Sequence, residues 1–353
     1  MKKFFSLTTL NLIKATCISM IKDYPMFCRF ELTSKCNFRC EFCHIHRKNN
    51  IKQDITTAQV ITIIDALFEV GTSFLYITGG EPLIREDITE ILKYAKKKNM
   101  YILLGTNGSL LLKIFDKIHK YIDNIHLSIQ TISKFKEITG STKENFIGIY
   151  KSIKLLINNN IPTQINIPIY KNNINEMLDI FNFINKSFPN IDIQFSPMEL
   201  LSPNKEDNEQ MKYLLPNIDL FNDTLAKIKK CFDISINIFN DDIKKTKNIY
   251  NMRNKELCKA GNNMLVINSC GELEYPCEFL ILQKIIVNSK KDIKQFLSKI
   301  NKKQILENKL KICKNCTNSC YLQPSYFLTI NGFYQLIKST LFRIYSHTNH
   351  INN

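Results

Sequence analysis

The sequence predicts an α/β protein built on an open, partial (β/α)6 barrel of the TIM type, followed by a small cysteine-rich C-terminal domain. Three observations predict it. Six short apolar, β-branched runs alternate with helical patterns between residues 27 and 230, which is typical of βα units around a parallel sheet. Six units are fewer than the eight that close a barrel. Beyond residue 230 the alternation stops, and six of the twelve cysteines follow between residues 258 and 320.

The apolar runs set the expected elements. We expect strands at Phe27–Leu32, Phe74–Thr78, Tyr101–Gly105, Ile125–Ile129, Gln164–Ile169 and Ile191–Phe195, and helices at 57–70, 87–98, 110–120, 143–159 and 174–187. A hairpin is expected from Met264–Asn268 and Leu273–Tyr275 around Gly271. Because ligands of parallel sheets bind at the carboxyl ends of the strands, polar residues that directly follow these runs are the candidates for a site.

Composition narrows the class of protein. The chain has 353 residues, 44% of them hydrophobic, which is enough for a large core. The net charge of +16 comes from scattered lysines, so it indicates solubility and attraction to anions, and no nucleic-acid recognition motif accompanies it. Asn11 and Lys14 interrupt the N-terminal apolar run, and no cleavage site follows. We therefore expect a cytoplasmic protein that begins with an amphipathic helix.

Cys36, Cys40 and Cys43 place three thiols on one short loop after the first predicted strand. Such clustering indicates metal ligation before disulfides. A 4Fe-4S cube normally takes four cysteines, so three would leave one iron free to bind something else. The alternative is a zinc site completed by His44 or His46.

Gly79, Gly80, Glu81 and Pro82 follow the second predicted strand, one βα unit after the cysteine loop. The glycines would let backbone approach a ligand closely, and the Glu81 carboxylate could accept hydrogen bonds from an ammonium group. The alternative is a turn that starts the next helix.

Together these motifs resemble the radical S-adenosylmethionine (SAM) superfamily. Its CxxxCxxC signature, with an aromatic residue before the last cysteine, matches residues 36–43, and its Gly-Gly-Glu-Pro motif matches residues 79–82. The resemblance covers roughly residues 30–200. It implies that Cys36, Cys40 and Cys43 hold a 4Fe-4S cluster whose open iron binds SAM.

The resemblance also implies cofactor contacts at the strand ends. Gly79, Gly80, Glu81 and Pro82 would hold the methionyl ammonium, and Phe42 would lie near the adenine. Further candidate SAM contacts are Ser128 and Gln130, at whose position the family often carries Asp. Asn166 and Asn107 are two more, for which the alternatives are a polar residue within a strand and a turn, respectively.

The activity implied by the resemblance is reductive cleavage of SAM to methionine and a 5'-deoxyadenosyl radical, which takes a hydrogen atom from the substrate. An electron donor such as flavodoxin or ferredoxin would supply the electron. We expect an oxidoreductase or peptide-modifying enzyme. The alternatives are a dehydrogenase of a carbohydrate-like or lipid-linked small molecule, with peripheral membrane contact through the amphipathic ends, and a zinc-dependent nucleic-acid-binding module.

The C-terminal cysteines resemble the SPASM or twitch domains of the superfamily, which carry an auxiliary cluster. The resemblance implies an auxiliary 4Fe-4S cluster held by Cys258, Cys277, Cys313 and Cys316, with Cys320 as the substitute for one of them; zinc at the same residues is the alternative. The expected domains are an N-terminal helical segment (1–26), a radical SAM core (27–230), the auxiliary domain (231–325) and a helical tail (326–353).

Glu278 directly follows Cys277 and resembles in position an acidic residue that acts as a base in some sulfatase-maturing relatives. Its alternative is a solvated surface carboxylate.

Overall fold

A computed structural model describes residues 24–43, 45, 53–189, 191–198, 209, 211–232, 258, 260–278, 280–301, 304, 305 and 307. The strands are β1 (Phe27–Glu31), β2 (Phe74–Thr78), β3 (Tyr101–Thr106), β4 (Asn124–Ser128), β5 (Thr163–Ile169), β6 (Asp192–Pro197), β7 (Met264–Ile267), β8 (Glu272–Cys277) and β9 (Leu280–Ile286). The helices are α1 (Thr57–Glu69), α2 (Ile88–Lys97), α3 (Leu111–Ile118), α4 (Phe135–Thr139), α5 (Lys143–Asn158), α6 (Met177–Ser187), α7 (Ile218–Phe232) and α8 (Asp292–Lys299).

The strands form one sheet with the order β6-β5-β4-β3-β2-β1-β7-β8-β9. Strands β1 to β7 are parallel, whereas β8 and β9 are antiparallel to their neighbours. The first six strands follow one another without a reversal of order. Because βαβ crossovers are right-handed, such an order places the connecting helices on one face of the sheet. This is the winding of a barrel and not of a doubly wound sheet, as the sequence predicts.

The helix-covered face of the sheet, called here the outer face, holds the main core. Alternate residues of the strands point there, including Phe30, Ile77, Leu104, Leu127 and Ile165, and each of these is at most 1% exposed. Burial of such side chains stabilises the fold by about 1.5–3 kcal/mol each.

Helix α1 illustrates how the sequence sets the helices. Thr56 and Gln59 form a capping box that satisfies backbone N–H groups at its start. Val60, Ile63 and Leu67 recur at helical spacing on one side and are fully buried against the sheet.

The opposite face, called here the inner face, carries the remaining alternate residues of each strand. At its amino end three aromatic rings stack in sequence, with centroid distances of 4.8 Å for Phe27 and Phe74 and 5.0 Å for Phe74 and Tyr101. Further along, the inner face is polar. Along β4 and β5, residues that point to the core on the outer face alternate with polar residues that point to the inner face. The polar residues are His126, Ser128, Gln164 and Asn166. Parallel strands covered on both faces are apolar throughout, so this alternation marks the inner face as the functional side.

Most predicted elements are confirmed to within about two residues. The predicted helix at 174–187 begins with a 3-10 turn at Ile174–Glu176. Strand β9 and helices α4, α7 and α8 were not predicted. The hairpin is present, but β7 also pairs in parallel with β1, so the C-terminal strands continue the sheet of the βα units. Over the described ranges, no helix combines the length and apolar character that spanning a membrane requires.

Candidate functional site

The three cysteines of the N-terminal motif lie on the loop after β1, and all three are partly exposed. The Phe38 amide donates to Cys36 Sγ (3.4 Å), and the Cys43 amide donates to the Cys40 carbonyl (3.0 Å). Burial raises the pKa of Cys36 to about 11, and the nearby acidic groups of Glu81 and Cys43 add to that shift. Burial and the other two thiols also raise the pKa of Cys40. The thiols are thus close enough to disfavour one another's ionisation, which a cationic metal centre would reverse.

The arrangement of these thiols distinguishes a site for a single metal ion, such as zinc, from a site for a 4Fe-4S cluster. Within the described part of the chain, no three His, Cys, Asp or Glu side chains converge on a position for a single metal ion. In a 4Fe-4S cluster each cysteine ligates its own iron, so the thiols need not converge. Three cysteines on one partly exposed loop therefore fit a cluster. His44 and His46, the extra ligands of the zinc alternative, lie outside the described residues.

Asp54 holds the start of the cysteine loop. Its carboxylate accepts hydrogen bonds from Thr33 Oγ1 (2.5 Å), from the Ser34 amide (2.9 Å) and from Ser34 Oγ (3.2 Å). Hydrogen bonds to an ionised acceptor are the stronger kind, so this contact fixes the loop where it leaves β1.

Arg85 joins the same region to the segment that follows the Gly-Gly-Glu-Pro motif. Its Nη1 donates to the carbonyls of Leu32 (2.9 Å) and Ile55 (3.0 Å), while Nε and Nη2 form a bidentate pair with the Asp87 carboxylate at 2.9 and 2.6 Å. Burial alone would raise the pKa of Asp87, but hydrogen bonds from Arg85 and Thr57 outweigh it and lower the pKa. One guanidinium therefore ties three chain segments together.

Gly79 and Gly80 pack directly on the cysteine loop. The Gly80 amide donates to the Thr33 carbonyl, and the Glu81 amide donates to the Lys35 carbonyl, both at 2.8 Å. A Cβ on Gly79 would overlap the Thr33 oxygen, and one on Gly80 would overlap the Lys35 oxygen. Gly79 also has a φ of +130°, which favours glycine. The close backbone approach expected of these glycines is made to the cysteine loop itself.

Glu81 is fully buried, and its carboxylate is bonded to the chain. Oε1 accepts from the Leu83 amide (3.0 Å) and Thr106 Oγ1 (2.8 Å), and Oε2 accepts from the Asn107 amide (2.7 Å). Burial raises the pKa of Glu81 to about 7, although these hydrogen bonds lower it. Pro82, the next residue, is buried at the first position of the 3-10 turn Pro82–Ile84.

Asn107 bridges the third strand end to the cysteine loop. Its Nδ2 donates to Asn37 Oδ1 (2.8 Å) and lies 4.0 Å from Cys36 Sγ, while its Oδ1 accepts from the Ser109 amide and hydroxyl. The turn role, which is the alternative to a SAM contact for Asn107, is present, and the side chain also lies beside the cysteine loop.

Of the remaining candidate cofactor residues, Ser128 ends β4 and Gln130 follows it, Asn166 lies within β5, and Phe42 lies on the cysteine loop. Ser128 and Asn166 are register neighbours on the inner face, and Asn166 Oδ1 accepts from Ser196 Oγ (2.7 Å). Gln130 is 4% exposed, and Asn173 donates to its backbone carbonyl (2.7 Å). Phe42 packs against Tyr170 after β5, with ring centroids 5.0 Å apart.

Two of the five C-terminal candidate ligands are described. Cys277, at the end of β8, belongs to a buried apolar cluster with Met26 and Phe27, and Cys258 packs against the same cluster. The pair is thus brought together near the amino end of β1. Cys313, Cys316 and Cys320 lie outside the described residues.

Glu278 forms an ion pair with Arg29 of β1, and the same guanidinium contacts Glu31 at 2.9 Å. The side chains of Arg29 and Glu278 are each 11% exposed. The interpretation of Glu278 as a solvated surface carboxylate is therefore wrong, because it is mostly buried against a cation. As a base it would have to leave this partner.

The residues predicted from the sequence do not include Asp54, Arg85 and Asp87. They also do not include His126 and Gln164 on the inner face. The last two had a readable signal. Both occupy alternate positions in β-branched strands whose other residues are core, and polar residues at period two mark a face that helices do not cover.

Comparison with known proteins agrees with the fold and the motifs. Residues 30–184 match the profile of the Radical SAM superfamily, so this part of the chain is similar to the members of that superfamily. Its members use a 4Fe-4S cluster and SAM.

Several curated proteins are similar over this region. A probable GTP 3',8-cyclase of Sulfurisphaera tokodaii is 30% identical over 161 residues, covering 44% of this chain and 50% of the relative. The GTP 3',8-cyclase of Clostridium perfringens is 32% identical over 183 residues, with 48% and 54% covered. An AdoMet-dependent heme synthase of Methanosarcina barkeri is 29% identical, with 44% and 46% covered. The chain spans about half the length of the curated relatives that it matches.

Two solved structures share the fold more completely. Streptococcus suis SuiB bound to S-adenosylmethionine has a TM-score of 0.56 at 16% identity, over 88% of this chain and 77% of SuiB. Native anSMEcpe with bound AdoMet has a TM-score of 0.58 at 16% identity, over 89% of this chain and 99% of the other. These likenesses show the fold.

Proposed function

We propose that this chain is a radical SAM enzyme that takes a hydrogen atom from a peptide or protein substrate. One observation carries the proposal: the three-cysteine loop and the Gly-Gly-Glu-Pro turn are locked together by backbone contacts that no side chain at Gly79 or Gly80 would permit.

Cys36, Cys40 and Cys43 would hold the cluster. The turn at residues 79–82 would bind SAM, together with Phe42, Asn107, Ser128, Gln130 and Asn166. When bound and reduced, the cluster and SAM together supply a 5'-deoxyadenosyl radical. The chain's own part is positional. Glu81 joins the ends of β2 and β3 beneath the cysteine loop, and Asp54 and Arg85 hold that loop to the sheet.

The charge of the inner face disfavours an anionic substrate. Arg29 is engaged by Glu31 and Glu278, and Asp192 is a further carboxylate on the same face of β6. Among the described inner-face residues of β1 to β6 the carboxylates outnumber the cations, which disfavours a nucleoside triphosphate. The neighbours SuiB, bound to its precursor peptide SuiA, and anSMEcpe, bound to a peptide, support the peptide class.

We further propose an auxiliary 4Fe-4S cluster in the region 231–325, with ligands among Cys258, Cys277, Cys313, Cys316 and Cys320, and a one-electron donor such as flavodoxin or ferredoxin. The packing of Cys258 and Cys277 in one cluster of apolar side chains supports the auxiliary site. Glu278 is the proposed base of this region once released from Arg29.

The test is anaerobic purification with iron analysis and measurement of 5'-deoxyadenosine. We expect about eight irons per chain, and about four in Cys40→Ala, together with loss of 5'-deoxyadenosine formation. Cys28→Ala is the matched control, because Cys28 is fully buried in the core; it should keep both. Zinc in place of iron in the wild-type protein, or undiminished 5'-deoxyadenosine from Cys40→Ala, would overturn the proposal. Cys277→Ala should still cleave SAM to 5'-deoxyadenosine but should no longer form the modified peptide.

A further inference from the structure

We propose that His126 and Gln164 form a recognition site for a peptide amide of the substrate, on the inner face of the sheet next to the cofactor residues Ser128 and Asn166. The inference rests on the proposed function and names the group of the substrate that the chain holds.

The register of the sheet brings the two residues together. His126 on β4 is paired with Gln164 on β5, and Ser128 is paired with Asn166 two residues further along the same strands. Residues two apart on a strand share a face and lie about 7 Å apart. A group bound between His126 and Gln164 would therefore lie directly beside the residues proposed to contact SAM.

Tyr76 supports the histidine across an intervening strand. Gly105 of β3 is the register neighbour of His126, and a Cβ there would lie 3.0 Å from the Tyr76 ring. Because Gly105 has no side chain, the tyrosine ring reaches across β3 and meets the imidazole edge-on, with centroids 5.7 Å apart. The imidazole is thus held in place by packing from one side and faces Gln164 on the other.

Gln164 supplies the observation that points to a ligand. It is 6% exposed, and its Oε1 is buried without a hydrogen-bond partner among the described residues. Burying a polar atom without a partner is destabilising, and native proteins seldom do so without a reason. An N–H group of a bound molecule would satisfy this oxygen.

The two side chains together match an amide. Burial lowers the pKa of His126 to about 4, so the ring is neutral at physiological pH and offers one N–H donor and one acceptor nitrogen. The His126 N–H can donate to a carbonyl while Gln164 Oε1 accepts the N–H of the same peptide unit. No charge is required on either partner.

One charged neighbour disfavours a phosphate at this position. Asp192 is the register neighbour of Gln164. A phosphate bound beside Gln164 would therefore lie next to a carboxylate. The site therefore favours a peptide over a nucleotide such as GTP, which becomes the contrasting probe.

The experiment measures binding of N-methylacetamide, a single peptide unit, to the reconstituted full chain by saturation-transfer-difference NMR. We expect saturable binding that weakens about tenfold in Gln164→Leu, equivalent to one lost hydrogen bond. His126→Phe should weaken it similarly. Gln295→Leu, the same change on an exposed position of α8, should bind as wild type. GTP should not displace the probe.

A second measurement separates recognition from structure. If the Gln164 oxygen has no partner in the free protein, Gln164→Leu should leave the melting temperature unchanged or raised while binding falls. Equal probe affinity in wild type and in Gln164→Leu, no saturable binding in wild type, or displacement by GTP would each overturn the inference. If Gln164→Leu does not fold, His126→Phe decides by the same criteria.

Formation of 5'-deoxyadenosine without substrate tests the proposed function separately. Probe binding without SAM cleavage would refute that function and leave the amide site standing. SAM cleavage without probe binding would refute the amide site and leave the proposed function standing.

Discussion

Replacement of Arg85 by Met tests whether the cysteine loop is held by the contacts described here. The substitution keeps an unbranched side chain of similar length and removes the guanidinium. It deletes two hydrogen bonds to Asp87 and two to the backbone carbonyls of Leu32 and Ile55.

The size of the effect follows from the burial of the groups left behind. The side chains of Arg85 and Asp87 are 10% and 20% exposed. Removing one partner of a mostly buried ion pair costs about 3–5 kcal/mol, because the other charge loses its compensation. Asp87 keeps the hydroxyl of Thr57 at 2.6 Å, so we expect the lower end, about 3 kcal/mol. Arg85→Lys retains the charge but not the bidentate geometry, and should fall between Met and wild type.

The assay is anaerobic denaturant unfolding, followed by circular dichroism, with iron content measured on the same samples. Lys98→Met is the matched control, because Lys98 pairs with Asp65 at 2.7 Å but is 29% exposed. A surface pair of that kind contributes about 0–1 kcal/mol. If Arg85→Met costs no more than Lys98→Met, the reasoning that Arg85 ties the loop to the sheet is refuted.

Three further predictions use other contacts. Gly80→Ala should abolish cluster retention or folding, since its Cβ would overlap the Lys35 carbonyl. Gly148→Ala, within α5 and with its nearest neighbour 4.0 Å from the new Cβ, should instead raise the free energy of unfolding by about 0.5–1 kcal/mol. His126 has a folded pKa of about 4 against 6.5 for the free side chain. The unfolded chain therefore binds the proton first as the pH falls, and stability should drop by about 1 kcal/mol between about pH 7.5 and about pH 5.5. That part of the pH dependence should be absent from His126→Phe; if both proteins show the same pH dependence, His126 is not buried as described.

The sequence predicted the barrel because its signals are local. Apolar runs such as Phe74–Thr78 are followed by turn residues within the same few positions, and the cysteine spacing lies on one loop. The contacts that assemble the site are not local. Arg85 contacts Leu32 across 53 positions, and Asn107 reaches Asn37 across 70, so only the folded chain shows that these residues meet. The glycines were expected to approach a ligand, and it is the fold that places them against the cysteine loop.

The pairing of β7 with β1 has a consequence for the spacing of the two groups of cysteines. Cys36 follows the carboxyl end of β1, whereas Cys277 belongs to the same apolar cluster as Phe27, the first residue of β1. Strand β1 has five residues, so its ends lie about 13 Å apart along a backbone that is hydrogen-bonded to a strand on each side. A molecule lying along the inner face of β1 would therefore have a described cysteine group beyond each end of that strand.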